Sequence, residues 1–416
     1  MTAETRPRLY REVFAVPGMT RSVLLMFVAR LPVTAMGLTL TLHVVNGLHR
    51  GYVAAGLVAT STTVGTMVGA PAVGRALDRH GLRPVVAVCA TVATAYWIGV
   101  PWLPYEALLV AAFPAGALVI PVSSLSRQVI TALVPEDRRR TAFSVDAVAM
   151  ETSFIVGPAV GIYLATQFSS RLALTVIGAV VAVTAVLLYA QNPPLRGKKE
   201  AAAPAPGGPR TWLDGRMTAT LLISMGVLFV LGGTELALVA VLRAGGETAW
   251  TGVAVAILAL GSIVGGVVHG ALPRSLPQSA LMALLSLLVI PAGLVSGPWW
   301  LLGLALVPMQ LVCAPTLAAI AESVSRLAPP HARGMAMGLQ DSATRLGGAL
   351  SSPAIGFVMD RTSPGWGFAA SGAGGLLLVA AAGVCAGGAR LRTRRPAAER
   401  PPTDLPTTEP SIGMDR

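Results

Sequence analysis

VGTMVGAPAVGRALDRHGLRP, residues 64–84, runs from an uncharged stretch into a short loop holding Arg75, Asp78, Arg79 and Arg83. The first part is built from Gly, Ala, Val and Thr, small side chains that let helices approach closely where no water drives them together. The loop contains Gly81, a residue type that turns the chain sharply after a helix. An apolar helix stopping at a cluster of arginines is the pattern of a membrane span meeting its cytoplasmic surface.

Composition extends that reading to the whole chain. Of 416 residues 54% are hydrophobic and 12% charged, and the mean hydropathy is +0.68. A soluble core stops growing near ~250–300 residues, so the bilayer is the solvent for most of this surface. The net charge of +12 does not mark a nucleic-acid binder, because the arginines sit between apolar runs and at the two ends, without interleaved aromatics. Cys89, Cys313 and Cys385 are dispersed through apolar segments, which excludes a disulfide framework and a metal site; no metal or other cofactor is expected. The basic N-terminus continues into a full-length span without a small-residue cleavage site, so the first span is expected to be retained.

At about 20 residues per crossing, twelve spans are predicted: 22–43, 52–73, 84–103, 105–126, 142–165, 172–190, 217–242, 250–271, 278–296, 299–321, 334–358 and 366–388. With both termini cytoplasmic, 25 of the 31 Lys and Arg residues fall on the inner side and four on the outer. That excess follows the positive-inside rule through every loop. Residues 191–216, rich in Pro, Ala, Gly and charge, are expected to be a cytoplasmic linker between an N-terminal bundle (1–190) and a C-terminal bundle (217–389). The Pro-rich tail, 390–416, is expected to be disordered. The halves also repeat: VGTMVGAPAVG (64–74) aligns without gaps with LGSIVGGVVHG (260–270), and GPAVG (157–161) pairs with SPAIG (352–356). The fold class is therefore all-α integral membrane, two pseudo-symmetric six-helix bundles with binding between them.

The loop GRALDRHGLRP (74–84) resembles the signature loop of the major facilitator superfamily, matching it at Gly74, Asp78, Arg79, Gly81 and Arg83, with Arg75 adding a further base. The resemblance implies a central cavity lined by spans one, four, seven and ten, alternating access, and a latch in this loop that closes the cytoplasmic side. The free N–H groups and positive dipole end of span eleven should lie near Asp78, with Arg127 or Arg333 adding a countercharge. The second copy, HGALPRS (269–275), has no equivalent acid. GPAVG also resembles the antiporter signature of that superfamily in part, with Ile162 in place of its last Gly. Gly157, Pro158 and Gly161 would allow a bend or close packing, and the match favours efflux. The fourth span, as bounded above, lacks the embedded Arg that many proton-coupled drug antiporters carry.

Charges inside spans are costly and normally face partners. Arg30 and Glu151 stand at equal depth and are expected to pair; Arg30 shares a face with Thr34, Gly37 and Thr41, a stripe suited to a cavity wall. Asp341 and Arg345 are four apart and suited to pair on one helix, and Glu235 lies nearer the outer surface. Two roles are open for these five: structural pairing, or uptake of a proton or cation by Glu151 or Glu235. Asp146, near the cytoplasmic end of span five, is expected to be an interfacial or gating acid, and all five His are expected on the surface. The expected function is proton-coupled export of a small amphipathic molecule by a monomer in a bacterial inner membrane, with uptake of a metabolite as the alternative. An enzyme acting on lipids would need clustered carboxylates or His at one membrane face, and the sequence has no such cluster.

Overall fold

The computed structural model describes residues 5–195, 212–272, 275–295 and 297–394. The expected linker lies mostly, and the tail from 395, outside the described residues. Among the described residues the chain is helical throughout, with no strand. A short helix, α1 (Thr5–Phe14), precedes the first span, α2 (Met19–Leu42), which closes in a π-helical turn at His43–Gly47. The N-terminal half continues with α3 (Tyr52–His80), α4 (Leu82–Gly99), α5 (Tyr105–Ala117), α6 (Val122–Leu133), α7 (Arg139–Gln167) and α8 (Ser170–Gln191). The C-terminal half holds α9 (Gly215–Ala244), α10 (Thr251–Gly270), α11 (Gln278–Val289), α12 (Trp299–Leu327), α13 (Arg333–Arg361) and α14 (Trp366–Arg394).

Ten runs among the described residues are long and apolar enough to cross a bilayer. The other two expected spans fall short for identifiable reasons. The ninth, Gln278–Leu294, is short and passes into a 3₁₀ turn at Pro291. The eleventh, α13, is 29 residues long but carries Arg333, Asp341, Arg345, Asp360 and Arg361. A helix enclosed by other helices can bear such residues because protein groups satisfy them. Two boundaries also move. The last helix runs to Arg394, past the expected end at 389. The fourth span breaks at 118–121, where Pro121 disfavours helix at the residue before it, then resumes as α6 to Leu133. Arg127 is therefore inside the span, and the expectation of a fourth span without an embedded Arg is corrected.

Each half has its own apolar core. One cluster runs from Trp212 to Ala382, and two others join α2 to α8. The glycine repeat does the same work in both halves. A Cβ on Gly65 or Gly69 would enter the backbone of α5 at Phe113 and Ala117, and one on Gly265 would enter that of α12 at Leu311. A fourth cluster crosses between halves: Val13, Met19, Ile130, Val134, Ala142 and Phe143 pack with Ala318 and Ala321 of α12. It lies at the end that carries the loop 74–84 and Arg138–Arg140, hereafter the basic end. At the opposite end Trp250 and Trp299 stack with centroids 4.8 Å apart, as expected of aromatic turns at an interface.

Candidate functional site

Two seams join the halves at the basic end. In the first, α3 crosses the start of α13 with Gly74 facing Gly334, so close that a Cβ on either would enter the other's carbonyl. One turn on, Gly338 stands against Ala70 in the same way, and Ser342 Oγ donates to the Met67 carbonyl at 2.7 Å. The first N–H groups of a helix have no acceptor within it. Asp78 supplies one here: Gly334 N donates to Oδ1 and Met335 N to Oδ2, each at 2.8 Å. Its charge also meets the positive end of the α13 dipole. Gly81 adopts φ +80° and so turns the chain from α3 into α4 within one residue. Arg75 and Arg79 are exposed. Arg83 leaves the seam: its Nε donates to the Tyr189 carbonyl at 3.2 Å and its guanidinium lies 5.5 Å over the Tyr189 ring.

The second seam brings the start of α7 against the end of α10. Thr141 Oγ1 donates to the Gly270 carbonyl at 2.8 Å, and Arg140 Nη1 to the Leu272 carbonyl at 3.3 Å. Gly266 makes room for Val148, and Gly270 for Ser144 and Tyr10.

Farther from the basic end lie the embedded charges. Arg30 does not pair with Glu151. Its Nη2 contacts Asp146 Oδ1 at 2.6 Å, and Ser126 Oγ donates to the same oxygen at 2.5 Å. Both partners are buried, with 3% of Arg30 and 7% of Asp146 exposed, so Asp146 is not interfacial. The arginine side chain is long enough to reach one turn nearer the basic end, where a carboxylate already has a hydroxyl donor. Arg127 Nη1 donates to Gln340 Oε1 at 2.5 Å, tying α6 to α13 across the halves. Asp341 and Arg345 do meet, Oδ2 to Nε at 2.9 Å.

Glu151 is thereby left without an arginine. It is half-buried on α7, and Cys313 Sγ of α12 donates to its Oε1 at 3.7 Å. Ser262 of α10 lies beside the pair. Among the described residues no Lys or Arg reaches Glu151 within ion-pair distance. A carboxylate of one half thus faces a thiol and a hydroxyl of the other. Glu235 stands apart on an exposed face of α9, not gathered with the other four.

The stripe on α2 divides. Thr34 donates to the Ser153 carbonyl at 2.8 Å and fills the space left by Gly157, whereas Gly37 is exposed and Thr41 Oγ1 turns back to the Gly37 carbonyl at 3.0 Å; off the stripe, Thr39 fills the space left by Gly161. Gly157 and Gly161 seat the first span against the fifth, and α7 continues through Pro158 as one helix.

With this geometry belongs the match of the Major Facilitator Superfamily model to residues 22–297, well over half of the chain. The chain belongs to the major facilitator superfamily. It is a membrane transporter rather than an enzyme. No curated protein matches it in sequence. Solved structures of the superfamily match it along nearly its full length. The human organic anion transporter MFSD10 (TETRAN) superposes with a TM-score of 0.69 at 19% identity, over 88% of this chain and 100% of that one. A bacterial homologue of the iron transporter ferroportin, in its outward-facing state, gives 0.70 at 15%, over 89% and 99%. The E. coli fucose:proton symporter FucP gives 0.68 at 14%, over 90% and 99%. What is shared at such identities is the superfamily fold.

Several residues at the site stand otherwise than the sequence suggests. Arg127 looked like a loop residue because the span was cut short. The signal was the run VSSLSRQVITAL after Pro121, which keeps apolar residues at helical spacing around the arginine. Gln340, Ser262 and Cys313 gave no signal, since neutral residues in apolar helices resemble packing. His43 and His269 are buried, not surface residues; His43 Nδ1 lies 3.1 Å from Ser170 Oγ.

Proposed function

We propose that this superfamily transporter exports a small amphipathic molecule in exchange for protons, with Glu151 as the coupling carboxylate. It would lie as a monomer in a bacterial cytoplasmic membrane with the basic end and both termini inside. The observation carrying this reading is Glu151 without a countercharge, half-buried between Ser262 and Cys313 of the opposite half. Removing an ionised carboxylate from water without a partner costs several kcal/mol. A proton supplies the missing charge when the seam is closed, and opening the seam to water allows its release. Occupancy of Glu151 is then tied to which face is open, the condition for coupling. Arg30, Asp146, Asp341 and Arg345 have partners already and serve as structural pairs, while Glu235 on its exposed face is a substrate contact. Asp78, Gly74 and Gly334 form the latch of the inward side. Export follows from the glycine–proline pattern at 157–161.

The alternative is proton-coupled uptake, favoured by the likeness in fold to the fucose:proton symporter FucP. In proteoliposomes, a fluorescent amphipathic amine moved up its gradient by an opposed proton gradient supports export. Movement in the same direction as protons supports uptake. Glu151→Gln should abolish proton-driven accumulation at least about tenfold while leaving downhill exchange. Retention of wild-type pH dependence in Glu151→Gln would falsify the coupling role.

A further inference from the structure

The two glycine repeats place Gly270 at the position of Gly74, yet no carboxylate accepts backbone N–H groups there as Asp78 does at the first seam; the acid nearest this end, Glu322 of α12, lies 3.9 Å from Arg140. We propose that Tyr10 of α1 is a gating residue that takes this position, clamping the end of α10 to the fifth span so that the second seam opens only when α1 lets go. The proposal rests on the alternating-access reading above, though not on the identity of the coupling residue.

Four observations converge on α1. Tyr10 lies outside the spans, yet its hydroxyl donates to the Val267 carbonyl, 257 residues away, at 2.6 Å. That carbonyl is open to it because Ala271 N–H turns back to Val268 instead. Gly270 carries no side chain where the Tyr10 hydroxyl sits, and a Cβ there would collide with it. Val13, fully buried, packs with Ile130, Val134 and Phe143 of one half and Ala318 and Ala321 of the other, while Glu12 Oε2 lies 3.4 Å from Arg138. So α1 is anchored to the N-terminal half and reaches the C-terminal half through Tyr10 and Val13. Separation of α10 from α7 must break the Tyr10 contact, and separation of the whole C-terminal half from α7 must break the Val13 contact with α12 as well. Burial pushes the Tyr10 phenol up to about 12, so it stays a donor at any physiological pH.

The test uses the full chain in proteoliposomes with spin labels at Glu136→Cys and Leu272→Cys, flanking the second seam, and the half-buried Cys385 replaced by Ser. Tyr10→Phe keeps the ring and its packing and removes only the donor. One neutral hydrogen bond corresponds to about a five- to tenfold shift in population, so the longer-distance fraction should rise by that factor and KM should change with it. Gly270→Ala displaces the hydroxyl with α1 left unmutated and also presses on Ser144 of α7, so it should shift the distances the same way and by at least as much. The double variant should go no farther than the larger single effect, since both remove one contact. Unchanged distances in both single variants, or additive shifts in the double, overturn the clamp. If Glu151→Gln retains coupling while Tyr10→Phe still shifts the distances, the coupling assignment fails and the clamp stands.

Discussion

The two seams at the basic end are built on the same glycine repeat and held by opposite chemistry. Between α3 and α13, a carboxylate accepts from two backbone N–H groups at a helix start. Between α7 and α10, neutral Thr141 and Tyr10, with Arg140, donate to carbonyls at a helix end. Hydrogen bonds to an ion are roughly twice as strong as neutral ones, and Asp78 also gains from the helix dipole. The two neutral contacts of the second seam are thus each weaker than those of Asp78, and its load is divided among three donors on two elements, of which only Arg140 is charged. The repeated glycines supply the close approach of the backbones. The polar groups that close each seam differ.

Steric loss in the stronger seam should give the largest effect. In Gly74→Val the new side chain meets the Gly334 carbonyl, a backbone atom with nowhere to go, and overpacking of even mobile side chains costs about 1–3 kcal/mol. The variant should reach the membrane but fail to close its basic end, with transport reduced at least tenfold; accessibility of Ala70→Cys, buried against Gly338 in the parent, to a water-soluble maleimide reads this directly. Protection equal to the parent would show that the seam does not depend on this approach. Next comes Asp78→Asn, which keeps the shape, loses the charge and sets an NH₂ group against a backbone donor. The basic-end-open population should rise about 10- to 100-fold, as expected for charge-assisted hydrogen bonds, read as longer distances between labels on α3 and α13.

Much of this contrast is written in residue patterns, and the part that is not has a physical cause. The loop 74–84 and the apolar run before it place Asp78 at the end of one span, and the twelve-span alternation brings the start of α13 to the same face. Asp341 and Arg345 meet because four residues on one helix settle their distance without reference to any other helix. Arg30 shows the limit. Depth follows from counting residues at about 1.5 Å each, but rotation of α2 about its axis and the reach of a long side chain do not, and Asp146 captured it in place of Glu151. Tyr10 is farther beyond reach. Its partner is a backbone carbonyl in the other half, and carbonyls leave no mark in a sequence. A polar N-terminal segment looks like a solvated lead-in until the packed structure shows Val13 buried.

The smallest predicted effect tests whether the second seam is as divided as its geometry suggests. Thr141→Val removes one neutral donor from the Gly270 carbonyl and keeps the side-chain volume. A lone neutral hydrogen bond is worth about 1 kcal/mol, and Tyr10 and Arg140 continue to hold neighbouring carbonyls of the same helix end. The seam-open population should rise no more than about fivefold, with KM nearly unchanged. A seam held by several shared contacts yields gradually, whereas one that leans on a single carboxylate gives way at once. If Thr141→Val matched Asp78→Asn in magnitude, Thr141 would be the principal lock of the second seam, and the difference between the seams would lie in their chemistry alone, not in how the load is distributed.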